Sequence, residues 1–184
     1  MFSKLRLVKL CLLLALMTLL AAGSHSTAFA TSFFTTAIFD DTNGVWTYDE
    51  NWWATTGEGA ILHTHHLSQT TGAAARATCG AGIDDYGVGY FKFYHTKAYN
   101  RGIAKVWVTE VGSTTPLDGY TYVDMYGPGV TRQQAASFIK QVGGAHRSLV
   151  IHIQVTGTRN PASSGYFVDV DAIECYIATG PIGG

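Results

Sequence analysis

Residues 149–155 read Leu-Val-Ile-His-Ile-Gln-Val, so apolar and polar side chains alternate along most of this stretch. Successive side chains of a β-strand point to opposite faces, which places the aliphatic residues on one face and His152 and Gln154 on the other. Such alternation is typical of an antiparallel strand with one face packed on a core. The stretch therefore predicts a half-buried β-strand.

Similar segments run through the rest of the chain, separated by turns rich in Gly, Pro, Asn and Thr. The other predicted strands are 33–39, 60–66, 74–79, 87–94, 103–111, 120–126, 138–142 and 166–177. Residues 131–140 also fit a short helix capped by Thr131, although we favour a strand there. About nine short strands without alternating helices predict an all-β, antiparallel β-sandwich.

The first 30 residues have the pattern of a secretory signal peptide. Three basic residues lie within the first nine positions, an apolar run occupies 10–22, and Ala28-Phe29-Ala30 offers a cleavage site. Cleavage after Gly23 and an uncleaved N-terminal anchor are the alternatives. We therefore expect an extracellular protein with one β-sandwich domain at 31–178 and a flexible tail at 179–184.

The chain is poor in charge, with 14% charged residues where a quarter is usual. Loss of Lys4, Arg6 and Lys9 with the signal turns 12 basic and 13 acidic residues into 9 and 13, a net charge of −4. This composition disfavours a disordered tail, a coiled coil and a nucleic-acid binder. We also expect no membrane span after cleavage, since no second apolar stretch follows.

Two cysteines, Cys79 and Cys175, remain once Cys11 has left with the signal. An even pair in an exported chain predicts one disulfide bond. Two buried free thiols are the alternative.

Signatures of catalysis are missing, since the sequence contains no G-x-S-x-G, H-E-x-x-H or Walker A motif. His63 and His65 would share a strand face and could chelate a metal, but no third ligand follows, so a surface His-rich strand end is favoured. A small hydrolase that uses Asp169, Asp171 or Glu174 is the least favoured alternative. We predict a non-catalytic protein with no catalytic residues.

Clustered carboxylates suggest a structural calcium ion, which takes six to eight oxygen ligands. Asp40 and Asp41 end the first predicted strand, and Asp171 would join them if the first and last strands pair. Carboxylates that simply face solvent are the alternative.

Aromatic residues are concentrated at Trp46, Tyr48, Trp52 and Trp53, interleaved with acidic and amide side chains. Aromatic rings stack on the apolar faces of sugars, and polar side chains hydrogen-bond their hydroxyls. Because adjacent residues point to opposite sides of a strand, we expect at least one of Trp52 and Trp53 to lie in the core.

Several stretches resemble galactose-binding-like jelly-roll modules, a carbohydrate-binding-module-like class of secreted proteins. They are 94–95, 100–108, 151–166 and 168–174, together with Phe39-Asp40-Asp41, Trp52 and Trp53 near the start, so the resemblance spans about 37–175. It implies a two-sheet jelly roll, a non-catalytic role beside polysaccharide-acting proteins, and a structural Ca²⁺ at the positions that Asp40, Asp41 and Asp171 occupy here.

The sequence thus predicts a secreted module that binds extracellular or cell-surface glycan. The predicted stacking rings are Tyr48, Trp52 and Trp53, and the predicted polar contacts are Arg101, Arg159 and Asn160. The alternative is a self-assembling or adhesive surface subunit that exchanges 33–37 and the tail after Cys175 between copies.

Overall fold

The computed structural model describes residues 34–79, 88–141 and 148–178, which contain twelve β-strands and no α-helix. The strands are β1 (Phe34–Asp40), β2 (Trp46–Tyr48), β3 (Trp53–Thr56), β4 (Thr64–Ser68), β5 (Ala74–Cys79), β6 (Val88–Lys97), β7 (Ile103–Glu110), β8 (Thr121–Asp124), β9 (Thr131–Gln141), β10 (Leu149–Val155), β11 (Val168–Val170) and β12 (Ala172–Ala178). Every pair of neighbouring strands is antiparallel, so the predicted all-β fold is confirmed.

The strands form three sheets, with orders β1-β12-β6-β9, β2-β5-β10-β7-β8 and β11-β4-β3. Strand β10, the alternating stretch at 149–155, lies at the centre of the five-stranded sheet. Its Ile151 pairs with Ala77 of β5 and with Val108 of β7, all three nearly or fully buried. The central position explains why one face of β10 is wholly aliphatic.

The core lies between the four-stranded and five-stranded sheets. Phe91, Phe93 and Ile173 come from the first sheet, and Ile151 and Ile153 from the second; all are fully buried in one cluster. Burial of each such side chain stabilises the fold by about 1.5–3 kcal/mol. Together these contacts make the molecule a β-sandwich.

The predicted disulfide is confirmed, because Cys79 is bonded to Cys175. It joins β5 of the five-stranded sheet to β12 of the four-stranded sheet. The bond therefore crosses the core and ties the two layers together. The bridged cysteines are 96 residues apart, so the crosslink stabilises by about 4 kcal/mol if loop entropy dominates.

The first and last described strands pair with each other, from Phe34 opposite Ala178 to Asp40 opposite Ala172. The segments that were candidates for exchange between copies are thus partners within one chain. Self-association stays a prediction.

Residues 60–66 do not form one strand, and that prediction was wrong. Ile61–His63 make a 3₁₀ turn in which Leu62 and His63 have positive φ, and β4 begins at Thr64. The predicted strand at 166–177 is also divided at Asp171, since β11 and β12 join different sheets. Strands β2 and β3 were not predicted.

The helix alternative for 131–140 was wrong, because β9 pairs with β6 along its length. The predicted signal peptide and the tail at 179–184 lie outside the described residues. Within the described ranges, no helix has the length and apolar character needed to cross a membrane.

Candidate functional site

A groove runs over the outer face of the five-stranded sheet. Two adjoining depressions of about 290 and 570 Å³ share Thr47, Arg76, Trp107 and His152 as lining residues. Strand register places these four side chains in one row across β2, β5, β10 and β7. The alternation that buries one face of each strand therefore presents this row to solvent.

Two rings form the middle of the groove. The Trp107 indole and the His152 imidazole are parallel within 3°, with centroids 4.9 Å apart. His152 Nε2 lies 3.0 Å from the Thr109 hydroxyl. Burial lowers the pKa of His152, and the charge of Arg76 lowers it further. The imidazole is therefore a neutral, oriented ring at neutral pH.

Beyond Trp107 the surface is aromatic and cationic. Tyr120, which is 52% exposed, meets Trp107 edge to face at 5.6 Å. The Lys105 ammonium lies 3.6 Å from the Tyr120 ring centroid and 5.2 Å from that of Trp107. These cation–π contacts hold the positive charge of Lys105 beside the rings of Tyr120 and Trp107.

Tyr48 borders the opposite end of the groove, so it is the one predicted stacking residue that lines it. Its ring is parallel to His66 at 3.9 Å and stacked on Trp46 at 5.8 Å. Its hydroxyl donates to the Asp41 carbonyl oxygen at 2.9 Å, and burial, followed by Asp41 and Asp40, raises its pKa. These contacts therefore fix the Tyr48 ring in one orientation at the side of the groove.

The other predicted aromatic contacts lie elsewhere. Trp52 is 8% exposed and belongs to the core, while Trp53 is 44% exposed and meets Phe167 edge to face at 6.1 Å. The two neighbours thus point to opposite sides, and the core position expected for one of them is taken by Trp52. This burial leaves Trp52 no open ring face for a ligand.

The predicted polar contacts do not line the groove either. Arg159 stacks over Tyr166 at 4.7 Å, and Asn160 donates from Nδ2 to Asp124 Oδ2 at 2.8 Å. Arg101 is buried, and its Nε donates to Asp169 Oδ1 at 3.0 Å. Arg101 therefore neutralises an internal carboxylate, and its burial corrects the prediction of Arg101 as a ligand contact.

Asp40, Asp41 and Asp171 are brought together and are all buried, in contrast to the solvent-facing alternative. The Thr64 hydroxyl contacts Asp40 Oδ2 at 3.1 Å and Asp41 Oδ1 at 2.6 Å, and His66 Nδ1 lies 2.6 Å from Asp41 Oδ2. The Asp41 N–H donates to the Asp171 carbonyl at 2.9 Å. Pairing of β1 with β12 thus gathers the three residues.

The carboxyl groups of this cluster differ in their partners. Both oxygens of Asp41 are engaged, whereas Asp40 Oδ1 and Asp171 Oδ2 are buried without a hydrogen-bond partner. Burial raises the pKa of Asp171 to about 7, helped by Asp169, Asp41 and Asp40 and opposed by the Ile61 N–H. The two partnerless oxygens are suited to a hard cation, although calcium needs six to eight ligands. Among the described residues, no group of three or more His, Cys, Asp or Glu is arranged to hold a metal.

The predicted face shared by His63 and His65 does not exist. His63 is exposed in the 3₁₀ turn, whereas His65 is 3% exposed in β4. The description of these histidines as a surface strand end is therefore corrected for His65.

Arg76, Trp107 and His152 were not predicted as a group from the sequence. Alternation did place Trp107 opposite Val106 and Val108, and His152 opposite Ile151, so the outward direction was readable. What local sequence could not show was the register that aligns the three strands.

No family model matches the chain, and no curated protein matches it in sequence. Among solved structures, a two-domain esterase active on acetylated mannans, co-crystallized with mannopentaose, aligns with a TM-score of 0.54 at 9% identity. The alignment covers 90% of this chain and 45% of the esterase. At this identity the likeness shows the fold alone.

Two further structures align less closely. The CBM36-1 domain of a multidomain xylanase, from the hindgut metagenome of Trinervitermes trinervoides, has a TM-score of 0.46 and 15% identity, over 79% of this chain and 99% of that domain. A Paenibacillus xanthan lyase has a TM-score of 0.48 and 16% identity, over 73% of this chain and 12% of the lyase.

Proposed function

We propose that this chain is a secreted, non-catalytic β-sandwich domain that binds glycan in the groove of its five-stranded sheet. The observation that carries the proposal is the row of Arg76, His152 and Trp107, flanked by threonine hydroxyls along an open groove. An open groove suits an extended polymer, since several sugar rings can lie along it. The fold shared with an esterase co-crystallized with mannopentaose supports this choice of ligand class.

The chemistry of the groove fits binding better than hydrolysis. A glycosidase needs two carboxyl groups facing each other across the substrate. Asp49 and Glu110 line different depressions of the groove instead of facing each other, and the Asp49 oxygens accept the N–H groups of Asn51 and Ala74 at 2.9 and 2.7 Å. A carboxylate engaged in this way is held as a turn-forming group, so we propose recognition without turnover.

The test compares the half-buried Trp107 of the groove with the exposed Trp53 outside it. Trp107→Ala removes the central ring of the groove, whereas the control Trp53→Ala removes a ring that does not line it. We expect Trp107→Ala to lower retention on an immobilised glycan panel roughly two- to tenfold, given about 0.5–1.5 kcal/mol for an aromatic contact. Trp53→Ala should bind as the wild type does.

Circular dichroism melting of both variants separates loss of binding from loss of folding. The groove is the wrong site if Trp53→Ala abolishes retention while Trp107→Ala preserves it. Absence of retention by any glycan of the panel would contradict the proposed function itself.

We also propose that a structural calcium ion binds beside Asp40, Asp41 and Asp171. The two buried oxygens without partners, Asp40 Oδ1 and Asp171 Oδ2, support this assignment. Because the carboxylates are not arranged as a set of three ligands, backbone carbonyls or water would have to supply the remaining oxygens. The chemistry such an ion supplies is structural, because it would tie β1 to the junction of β11 and β12.

A further inference from the structure

Arg76 occupies the centre of the groove and makes no ion pair or hydrogen bond with the residues that the structure describes. It is an exposed residue at the register position opposite Thr47 and His152, and it lines both depressions. Within the described residues, the ion pairs are His66–Asp41, Lys92–Glu174 and Arg101–Asp169, and no hydrogen bond of Arg76 is found. A guanidinium presents five N–H donors, so a guanidinium with none of them bound to the described residues favours an acceptor from the ligand.

Two acidic residues line the groove, Asp49 in one depression and Glu110 in the other, whereas Arg76 lines both. Asp49 is bound by two backbone N–H groups, as described above. Glu110 lies at the far end of the groove, where it pairs with Leu149 of β10. It is three residues from Trp107, the partner of His152, and three residues span about 10 Å along a strand. Arg76 is therefore the cation shared by both depressions, with one carboxylate on either side of it along the groove.

A second cation flanks the same rings. Lys105 is two residues from Trp107 on β7, and its ammonium contacts only the faces of Tyr120 and Trp107 in the contacts described. Strand spacing puts the Cα atoms of Arg76 and Lys105 about 12 Å apart, a separation that neighbouring sugar units can span. Two cations and stacking rings on one face match a ligand with both sugar faces and negative charges.

We propose that the groove selects acidic glycans, with Arg76 binding the carboxylate of a uronic acid whose ring packs against Trp107. The inference rests on the proposed function and narrows its ligand class. A guanidinium binds a carboxylate through two parallel N–H···O bonds, which neither a neutral hydroxyl nor a lysine reproduces. The neutral His152 beside it adds no competing charge and leaves the carboxylate to Arg76.

The test uses polygalacturonate, alginate and glucuronoxylan, each before and after chemical reduction of its carboxyl groups to the neutral sugar. We expect at least one acidic polymer to be retained and its reduced form to be lost. Raising sodium chloride from 50 to 500 mM should weaken retention, since salt screens an exposed ion pair.

Arg76→Gln should lower affinity for the acidic polymer about tenfold or more, as expected for loss of a charged hydrogen bond. The matched control is Arg159→Gln, which removes the same charge from a side chain outside the groove and should leave affinity unchanged. Arg76→Lys should fall between the two, because it keeps the charge and loses the paired donors.

The possible outcomes distinguish acidic selectivity from glycan binding in general. Equal retention of acidic and reduced polymers, lost in Trp107→Ala but unchanged in Arg76→Gln, overturns acidic selectivity and leaves glycan binding in place. Equal weakening by Arg76→Gln and Arg159→Gln shows a general charge effect and also overturns it. Retention of no polymer in either form, in a panel that includes neutral glycans, contradicts both proposals.

Discussion

Asp169 is fully buried, and its charge is balanced by one residue. Arg101 donates to Asp169 Oδ1, while the Thr96 N–H donates to Oδ2 at 3.0 Å. Arg101→Met would leave the carboxylate buried without its counter-ion, so we expect the free energy of unfolding to fall by about 3–5 kcal/mol in urea titrations. Arg159→Met is the control, since Arg159 is exposed, and should change it by less than about 0.5 kcal/mol.

The same pair of variants tests whether Arg101 acts in stability or in binding. A folded Arg101→Met protein with unchanged stability would contradict the structural role given to the ion pair. Loss of glycan retention without loss of stability would instead support the ligand contact that the sequence predicted for Arg101.

His95 makes stability depend on pH. Its ring is 2% exposed and stacks on Phe93, and burial lowers its pKa, with Lys97 lowering it and Asp169 opposing the shift. Below pH 6.5 the unfolded chain binds a proton at His95 that the folded chain does not bind. The contribution of His95 to the free energy of unfolding therefore falls as the pH falls towards the lowered pKa.

We expect His95→Phe to flatten this dependence. The measurement is the difference in unfolding free energy between pH 7.5 and pH 5 for each protein, which cancels any constant cost of the substitution. His63→Asn, at an exposed position with positive φ, should keep the wild-type difference. The His95→Phe protein keeps the contributions of other groups. Burial also lowers the pKa of His65 and of His152, which act in the same direction as His95, whereas the pKa of Asp171, raised to about 7, acts in the opposite direction. An unaltered difference in His95→Phe would exclude His95 as its source.

At the scale of elements, two segments cross so closely that one of them requires glycine. The Gly102 N–H donates to the Phe167 carbonyl at 2.8 Å, just before β7 begins. A Cβ atom at 102 would lie 2.6 Å from the Tyr166 carbonyl oxygen, and backbone cannot swing aside as a side chain does.

Gly102→Ala should therefore destabilise the protein by about 1–3 kcal/mol, the usual cost of overpacking. Gly44→Ala is the matched control, because a Cβ there meets nothing within 4 Å. Thermal unfolding of both variants measures the difference. Equal melting temperatures would mean that the two segments can separate at no cost.

Long strands were predictable and short ones were not. The predicted bounds 149–155 are those of β10, and 103–111 differs from β7 by one residue, because several alternations in a row define the period. Strands β2 and β3 have three and four residues, too few to show a period. Their place depends on pairing with β5 and β4, which is set by tertiary contacts.

The candidate site was predictable only in part for the same reason. The sequence does not show whether a tryptophan is buried. For that reason the cluster around Trp52 was predicted as the binding site and Trp107 was not. The carboxylate cluster was easier to predict, since it required only that β1 and β12 pair.

At the scale of the whole molecule, a bound cation would make the melting temperature depend on the metal concentration. If calcium occupies the carboxylate cluster, EDTA should lower the melting temperature and calcium should restore it, because a ligand of the folded state stabilises by mass action. Asp171→Asn should remove the response, whereas Asp49→Asn, at an acidic residue outside the cluster, should retain it. A melting temperature indifferent to both chelator and calcium would exclude the proposed ion.

The pairing of Phe34 with Ala178 also determines where the domain can be tethered. Both ends of the described fold emerge side by side from the sheet that packs against the back of the groove-bearing layer. A reporter, a solid support or an enzyme fused at either end would thus be anchored behind the sandwich, leaving the grooved surface free to meet an insoluble polymer.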